Sequence, residues 1–96
     1  MFSRNLHPMP LPGVIGRIVG DEAVLVITGK GEVKVLNEVG ARVWSLSDGT
    51  RSICEIAEVV CSEFKVDSKV AEDDILAFVQ QMFDRGVFTA VDLVAD

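Results

Sequence analysis

The segment at residues 36–49 constrains the fold strongly, because it carries both a helix start and a helix stop. Asn37 has the short side-chain oxygen that accepts hydrogen bonds from free amides at a helix N-terminus, and Gly49 can adopt the positive φ common just past a helix end. We therefore predict a short helix whose apolar face, with the sole tryptophan, anchors a core. The residues on that face are Val39, Val43, Trp44 and Leu46.

The chain before this helix predicts a three-stranded antiparallel meander. Short runs rich in β-branched residues occupy residues 14–19, 23–28 and 32–36, and glycine-containing turns separate them. The middle run is apolar on both faces, which is typical of a central strand. The third run places Val33 and Val35 on one face and predicts an edge strand with one side toward water.

Two more helices are predicted after Gly49. Ser52 and Glu55 form the pattern of a capping box, in which each side chain bonds to the other residue's backbone amide. A third helix is predicted over residues 68–85, with Gly86 as its stop. The spacing places four residues at the centre of its buried face: Ile75, Val79, Met82 and Phe83.

Phe78 lies at the margin of that buried face, beside Asp74, Gln81 and Arg85. An extra aromatic residue at the margin of an apolar stripe is typical of a helix that lines a groove. A slightly wide core stripe explains the same pattern. The sequence leaves both interpretations open for Phe78.

Composition favours one soluble domain that stays in the cytoplasm. The chain has 96 residues, and 49% of them are apolar against 25% charged, without a membrane-spanning run. Nine basic and fifteen acidic residues give a net charge of −6, which disfavours binding to nucleic acid.

Cys54 and Cys61 lie seven residues apart on one predicted helix, which is too distant for a disulfide, and they are interpreted as small core residues. We expect no metal ion or cofactor, since His7 has no neighbouring His or Cys in the sequence.

The two ends of the chain are predicted to lie outside the domain. Residues 1–13 are rich in proline and are expected to form an extended, flexible arm, with docking on a partner or on a second copy as the alternative. The domain itself is predicted to span residues 14–91. Its last residues, 87–91, are expected to add a short strand or an extended cover, and residues 92–96 are expected to be a tail.

This ordered set of caps, turns and apolar positions resembles the PqqD-like family, whose members recognise leader peptides of ribosomally made, post-translationally modified peptides. The similarity spans about residues 14–90, and it rests on the spacing of the whole set. After the three strands, the positions that carry it are Leu36-Asn37, Gly40-Ala41, Trp44, Asp48-Gly49, Ile56-Ala57, Phe64-Lys65-Val66-Asp67, Asp74-Ile75, Phe78-Val79, Met82 and Gly86-Val87.

The resemblance implies a winged helix-turn-helix-like α+β domain without catalytic activity. A precursor leader peptide would add a strand to the third strand and lie against the third helix, for presentation to a modifying enzyme such as a radical SAM enzyme or a leader peptidase. The implied peptide-binding residues are Glu32, Val33, Lys34, Val35, Leu36, Asp74, Ile75, Phe78, Gln81, Met82 and Arg85.

Three other functions compete with this interpretation. A DNA-binding winged helix conflicts with the net charge and with the acidic second helix, which carries Glu55, Glu58 and Glu63 but no basic residue. An enzyme is disfavoured because no nucleophile with a base, no buried carboxylate pair and no phosphate-binding loop can be named. A dimerisation module that uses the same edge strand stays open, as does a homodimer that also binds peptide.

Overall fold

The computed structural model describes residues 3–91. Its main elements are a three-stranded antiparallel sheet and, after it, three helices. The predicted α+β class is therefore confirmed. In chain order the elements are β1 (Pro8–Pro10), β2 (Val14–Val19), β3 (Glu22–Ile27), β4 (Glu32–Leu36), α1 (Glu38–Leu46), α2 (Ile53–Phe64), α3 (Ser68–Asp84) and β5 (Phe88–Ala90).

The sheet has the strand order β2-β3-β4, so β4 is an edge strand as predicted. Register pairs Val24 with Val35 and Leu25 with Lys34 across the β3–β4 hairpin. Leu25 is fully buried and faces the helices, whereas Val33 and Val35 lie on the outer face of the sheet and are 66% and 61% exposed. The side of β4 toward water is thus the valine side, and the residues on its helix-facing side are Glu32, Lys34 and Leu36.

Local capping chemistry sets where the helices begin. The Asn37 side chain accepts a hydrogen bond from the Gly40 amide at 2.9 Å, which starts α1. At α2, the Ser52 hydroxyl accepts from the Glu55 amide and the Glu55 carboxylate accepts from the Ser52 amide, so the predicted capping box is present. The hydrogen bond from the Ser52 amide holds the pKa of the Glu55 carboxyl below its ordinary value.

The proline-rich segment differs from the flexible arm that its sequence predicted. Pro8–Pro10 pairs in antiparallel fashion with Phe88–Ala90, and Leu6 and Pro8 are buried. The Leu6 carbonyl also accepts the Ile53 amide at 2.9 Å, within the first turn of α2. Prolines fit a short edge strand because their missing amides are not needed on its open side. The packed unit therefore begins before residue 14, and Met1, Phe2 and the predicted tail 92–96 lie outside the described residues.

Trp44 joins the sheet to β5. Its ring stacks on Phe88, with centroids 5.9 Å apart and planes 11° from parallel. The same ring covers Gly16 of β2 so closely that a Cβ at that position would lie 2.4 Å from Cζ2 of Trp44. Glycine at position 16 is therefore required for the tryptophan to reach Phe88, since any larger residue would displace the ring.

Gly16→Ala is expected to lower the free energy of unfolding by about 1–3 kcal/mol, because the added methyl group overpacks the Trp44 ring. Gly29→Ala is the matched control, since a Cβ there meets no atom within 4 Å. It should change stability by no more than about 0.5 kcal/mol. Urea unfolding followed by tryptophan fluorescence measures both, and equal stabilities of the two variants would contradict this account of Trp44.

Candidate peptide-binding groove

A groove runs between the free edge of β4 and one face of α3, and α1 closes one end of it. Its larger part is a cavity of about 460 Å³, and a second cavity of about 340 Å³ continues it toward the end of α3. Lys34 lines both parts and so marks their junction. The larger part is lined by Lys34, Val35, Leu36, Asn37, Val39, Gly40, Val43, Asp74, Ile75, Phe78 and Gln81. The second part is lined by Ile27, Glu32, Val33, Lys34 and Arg85.

The predicted site residues come together along this groove, with one exception. Ten of the eleven line it: five from β4, four from α3, and Arg85, which directly follows α3. Met82 does not: its side chain is fully buried and belongs to the core. The helical spacing had already placed Met82 at the centre of the buried face, so its inclusion, which followed from the resemblance, is wrong.

Phe78 lies at the margin of the buried face of α3, as the helical spacing predicted. The side chain is half-buried, packs against the core from one side and lines the groove with the other. Ile75 lines the same floor but is only 2% exposed, so it supports the groove from below. The floor thus combines an accessible aromatic ring with a rigid aliphatic base, which suits an apolar side chain of a ligand.

Residues of α1 complete the groove, and the sequence prediction missed them. Gly40 is buried within α1, and a Cβ at this position would lie 3.3 Å from Cβ of Leu36 and 3.5 Å from Cε1 of Phe78. A glycine inside a helix costs about 1 kcal/mol relative to alanine. Such a glycine indicates a close approach of neighbouring groups. That signal was available in the sequence, and it points to the end of the groove formed by Asn37, Val39, Gly40 and Val43.

Main-chain groups supply the second binding feature of the groove. Within residues 3–91, β3 lies along one edge of β4 and no strand lies along the other, so alternate residues direct N–H and C=O groups toward the open side. An extended chain placed there could bond to these groups and insert every second side chain toward α3. The geometry is suited to binding one extended segment.

The cysteines and the acidic side chains of the described residues were also candidates for a site. Within residues 3–91, no three His, Cys, Asp or Glu side chains come close enough together to hold a metal ion. Cys54 and Cys61 are free thiols, and both are half-buried instead of lying in the core as predicted. Cys54 accepts a hydrogen bond from Arg4 at 3.1 Å, and Cys61 donates to the Val66 carbonyl at 2.9 Å. No helix in the same span is long and apolar enough to cross a membrane.

Comparisons with known proteins agree with this architecture. A solved structure of TbiB1 in complex with the TbiA(beta) leader peptide is 28% identical in sequence and has a TM-score of 0.76, over 82% of this chain and 93% of the other. A lasso peptide synthetase B1 complexed with the leader peptide has a TM-score of 0.78 at 24% identity, over 86% and 98% of the two chains, and it supports the fold alone. No protein with a curated function matches significantly. The family model for coenzyme PQQ synthesis protein D (PqqD) matches residues 22–87, which is well over half of the sequence, and the chain therefore belongs to the PqqD family.

Proposed function

We propose that this protein is a non-catalytic recognition protein that binds the leader of a ribosomally made precursor peptide. The leader adds a strand to β4, lies against α3 and is presented to a modifying enzyme. The observation that carries the proposal is the free edge of β4 beside an apolar-floored groove. The leader-peptide complex of TbiB1, a protein with the same fold at 28% identity, supports it.

The modifying enzyme acts on a different part of the precursor from the part held in the groove. Recognition of a leader by a small separate domain leaves the remainder of the precursor free to enter an active site elsewhere. A radical SAM enzyme and a leader peptidase are the two enzyme classes proposed as partners. Co-purification of each candidate with the protein, with and without precursor, distinguishes them.

Where a short precursor gene lies beside this one, a synthetic peptide of its leader should bind with a Kd in the micromolar range or tighter. That affinity corresponds to about −8 kcal/mol or better. Isothermal titration calorimetry measures it, and a scrambled peptide of the same composition is the control. Equal binding of the scrambled peptide, or no binding by either, would contradict leader recognition.

Self-association is the second candidate function, because the outer face of the sheet is apolar and exposed. Ile15, Val33 and Val35 on this face are 61%, 66% and 61% exposed. A patch of this kind beside a free strand edge suits a second copy as well as a peptide. Light scattering after size-exclusion chromatography, with and without leader, separates the two functions: a stable dimer that ignores peptide would favour self-association.

A further inference from the structure

Charge is distributed unevenly along the groove. What this implies about the ligand deepens the proposed function and rests on it. At one end Asp74 borders the apolar floor, and at the other end Lys34 and Arg85 share the second cavity. Among residues 3–91, no opposite charge forms an ion pair with any of these three side chains. In a chain of net charge −6, two basic groups without acidic partners inside one groove call for an anionic ligand group.

Two neighbouring charges determine how much of this positive potential is available. Lys30 donates to the Arg85 carbonyl at 2.9 Å, so its ammonium group is engaged at the end of α3. Glu32 lines the same cavity as Arg85 and offsets part of the positive charge. Lys34 lies two residues from Glu32 on the same face of β4, at the junction with the apolar part of the groove. The site that favours an anion is therefore opposite Lys34 and not opposite Glu32.

Strand geometry converts these positions into a sequence pattern. A chain added to β4 directs every second side chain toward α3, so successive groove-facing residues lie opposite Leu36, Lys34 and Glu32. The residue opposite Leu36 lies over the Phe78 floor, and the next one lies opposite Lys34 with Arg85 nearby. Directly opposed unlike charges stabilise a strand pair and like charges destabilise it. An acidic residue thus fits opposite Lys34, whereas it would be repelled opposite Glu32.

We infer that the groove selects leader peptides with an apolar anchor followed, two residues toward the C-terminus, by an aspartate or glutamate. The order follows from antiparallel addition to β4, which continues the pattern of the whole sheet and places the N-terminal part of the peptide at the Leu36 end. The residue four positions after the anchor is not acidic. The selected leaders thus contain five consecutive residues of this form: an apolar residue, any residue, an acidic residue, any residue and a non-acidic residue.

Selection of a phage-displayed random decapeptide library on the wild-type protein tests this pattern directly. We expect Asp and Glu to be enriched several-fold at the second position after an aromatic or aliphatic anchor. Selection on a Lys34→Glu, Arg85→Glu double variant should replace that preference with Lys and Arg. Lys69→Glu is the control, because Lys69 lies on α3 outside the groove and pairs with Asp73, and it should leave the pattern unchanged.

The outcomes separate this inference from the proposed function. Enriched peptides with an apolar anchor and no acidic preference would overturn the inference and leave peptide recognition standing. Acidic enrichment two residues before the anchor would overturn the antiparallel direction and with it the stated pattern. A library from which no peptide is enriched would overturn the proposed function and the inference together. Circular dichroism of each variant confirms that the charge reversals leave the protein folded.

A titration with one selected peptide gives the magnitude. Replacing its acidic residue with lysine should weaken binding to the wild-type protein by about 5- to 10-fold, and the loss should shrink as salt is raised. The same replacement should strengthen binding to the Lys34→Glu, Arg85→Glu variant. Equal losses on both proteins would show that the acidic residue does not meet these two cations.

Discussion

Val35→Pro is expected to weaken leader binding by about 10- to 100-fold, or about 1.4–2.8 kcal/mol. Proline removes the amide of this residue, and its ring obstructs the open edge of β4. Titration calorimetry with the leader measures the loss. The effect should be large because an added strand obtains much of its affinity from main-chain hydrogen bonds, which no other part of the groove replaces.

The matched control is Val35→Ala, which shortens the exposed side chain but keeps the amide. It should bind within about threefold of the parent, since the Val35 side chain points to the outer face of the sheet and is 61% exposed. Circular dichroism and thermal unfolding of both variants show whether β4 still forms. A folded proline variant that binds as tightly as the parent would rule out strand addition at β4.

Local chemistry made the helix boundaries predictable. Asn37 and the Ser52–Glu55 pair find their partners within three residues, so the capping interactions can be recognised in a short stretch of sequence. Gly86 likewise has the positive φ of 77° expected after the end of α3. The strand pattern succeeded for the same reason, because alternation and turn residues act over a few neighbouring positions.

Non-local pairing explains why the N-terminal segment was not predicted. Pro8 pairs with Ala90 at the far end of the chain. The Gly49 amide also donates a hydrogen bond to the Pro8 carbonyl at 3.0 Å. The local sequence of a proline-rich arm is the same whether the arm frays or pairs with a distant strand. The same limit applies to Val33 and Val35, since alternation shows that two faces exist but not which one the helices cover.

The outline of the groove was predicted partly from helical spacing and partly from the family resemblance. Helical spacing placed Phe78 at the margin and Met82 at the centre of the buried face of α3, and the structure agrees with both positions. The resemblance supplied the edge strand as a binding surface but also assigned Met82 of α3 to the peptide site, whereas the structure buries that side chain in the core. Gly40 belongs to the positions that carry the resemblance, and its place inside a helix also indicates a close contact.

Met82→Ala is expected to cost more stability than Phe78→Ala, and Phe78→Ala is expected to cost more binding than Met82→Ala. Met82 is fully buried, so its truncation should lower the free energy of unfolding by about 2–5 kcal/mol through lost packing and a new cavity. Phe78 is half-buried, so its truncation should cost only about 1–2 kcal/mol of stability. Thermal and urea unfolding of the two variants measure this difference.

Binding should follow the reverse order, because only Phe78 presents its ring to the groove. Phe78→Ala should weaken the leader complex by more than about 1 kcal/mol, or more than about fivefold. Met82→Ala, measured at a temperature where it is fully folded, should bind within about twofold of the parent, and Val79→Ala provides a second core control because Val79 is also fully buried. If Phe78→Ala proves as unstable as Met82→Ala, or binds leader as tightly as the parent, then Phe78 is a core residue and the groove floor does not contact the peptide.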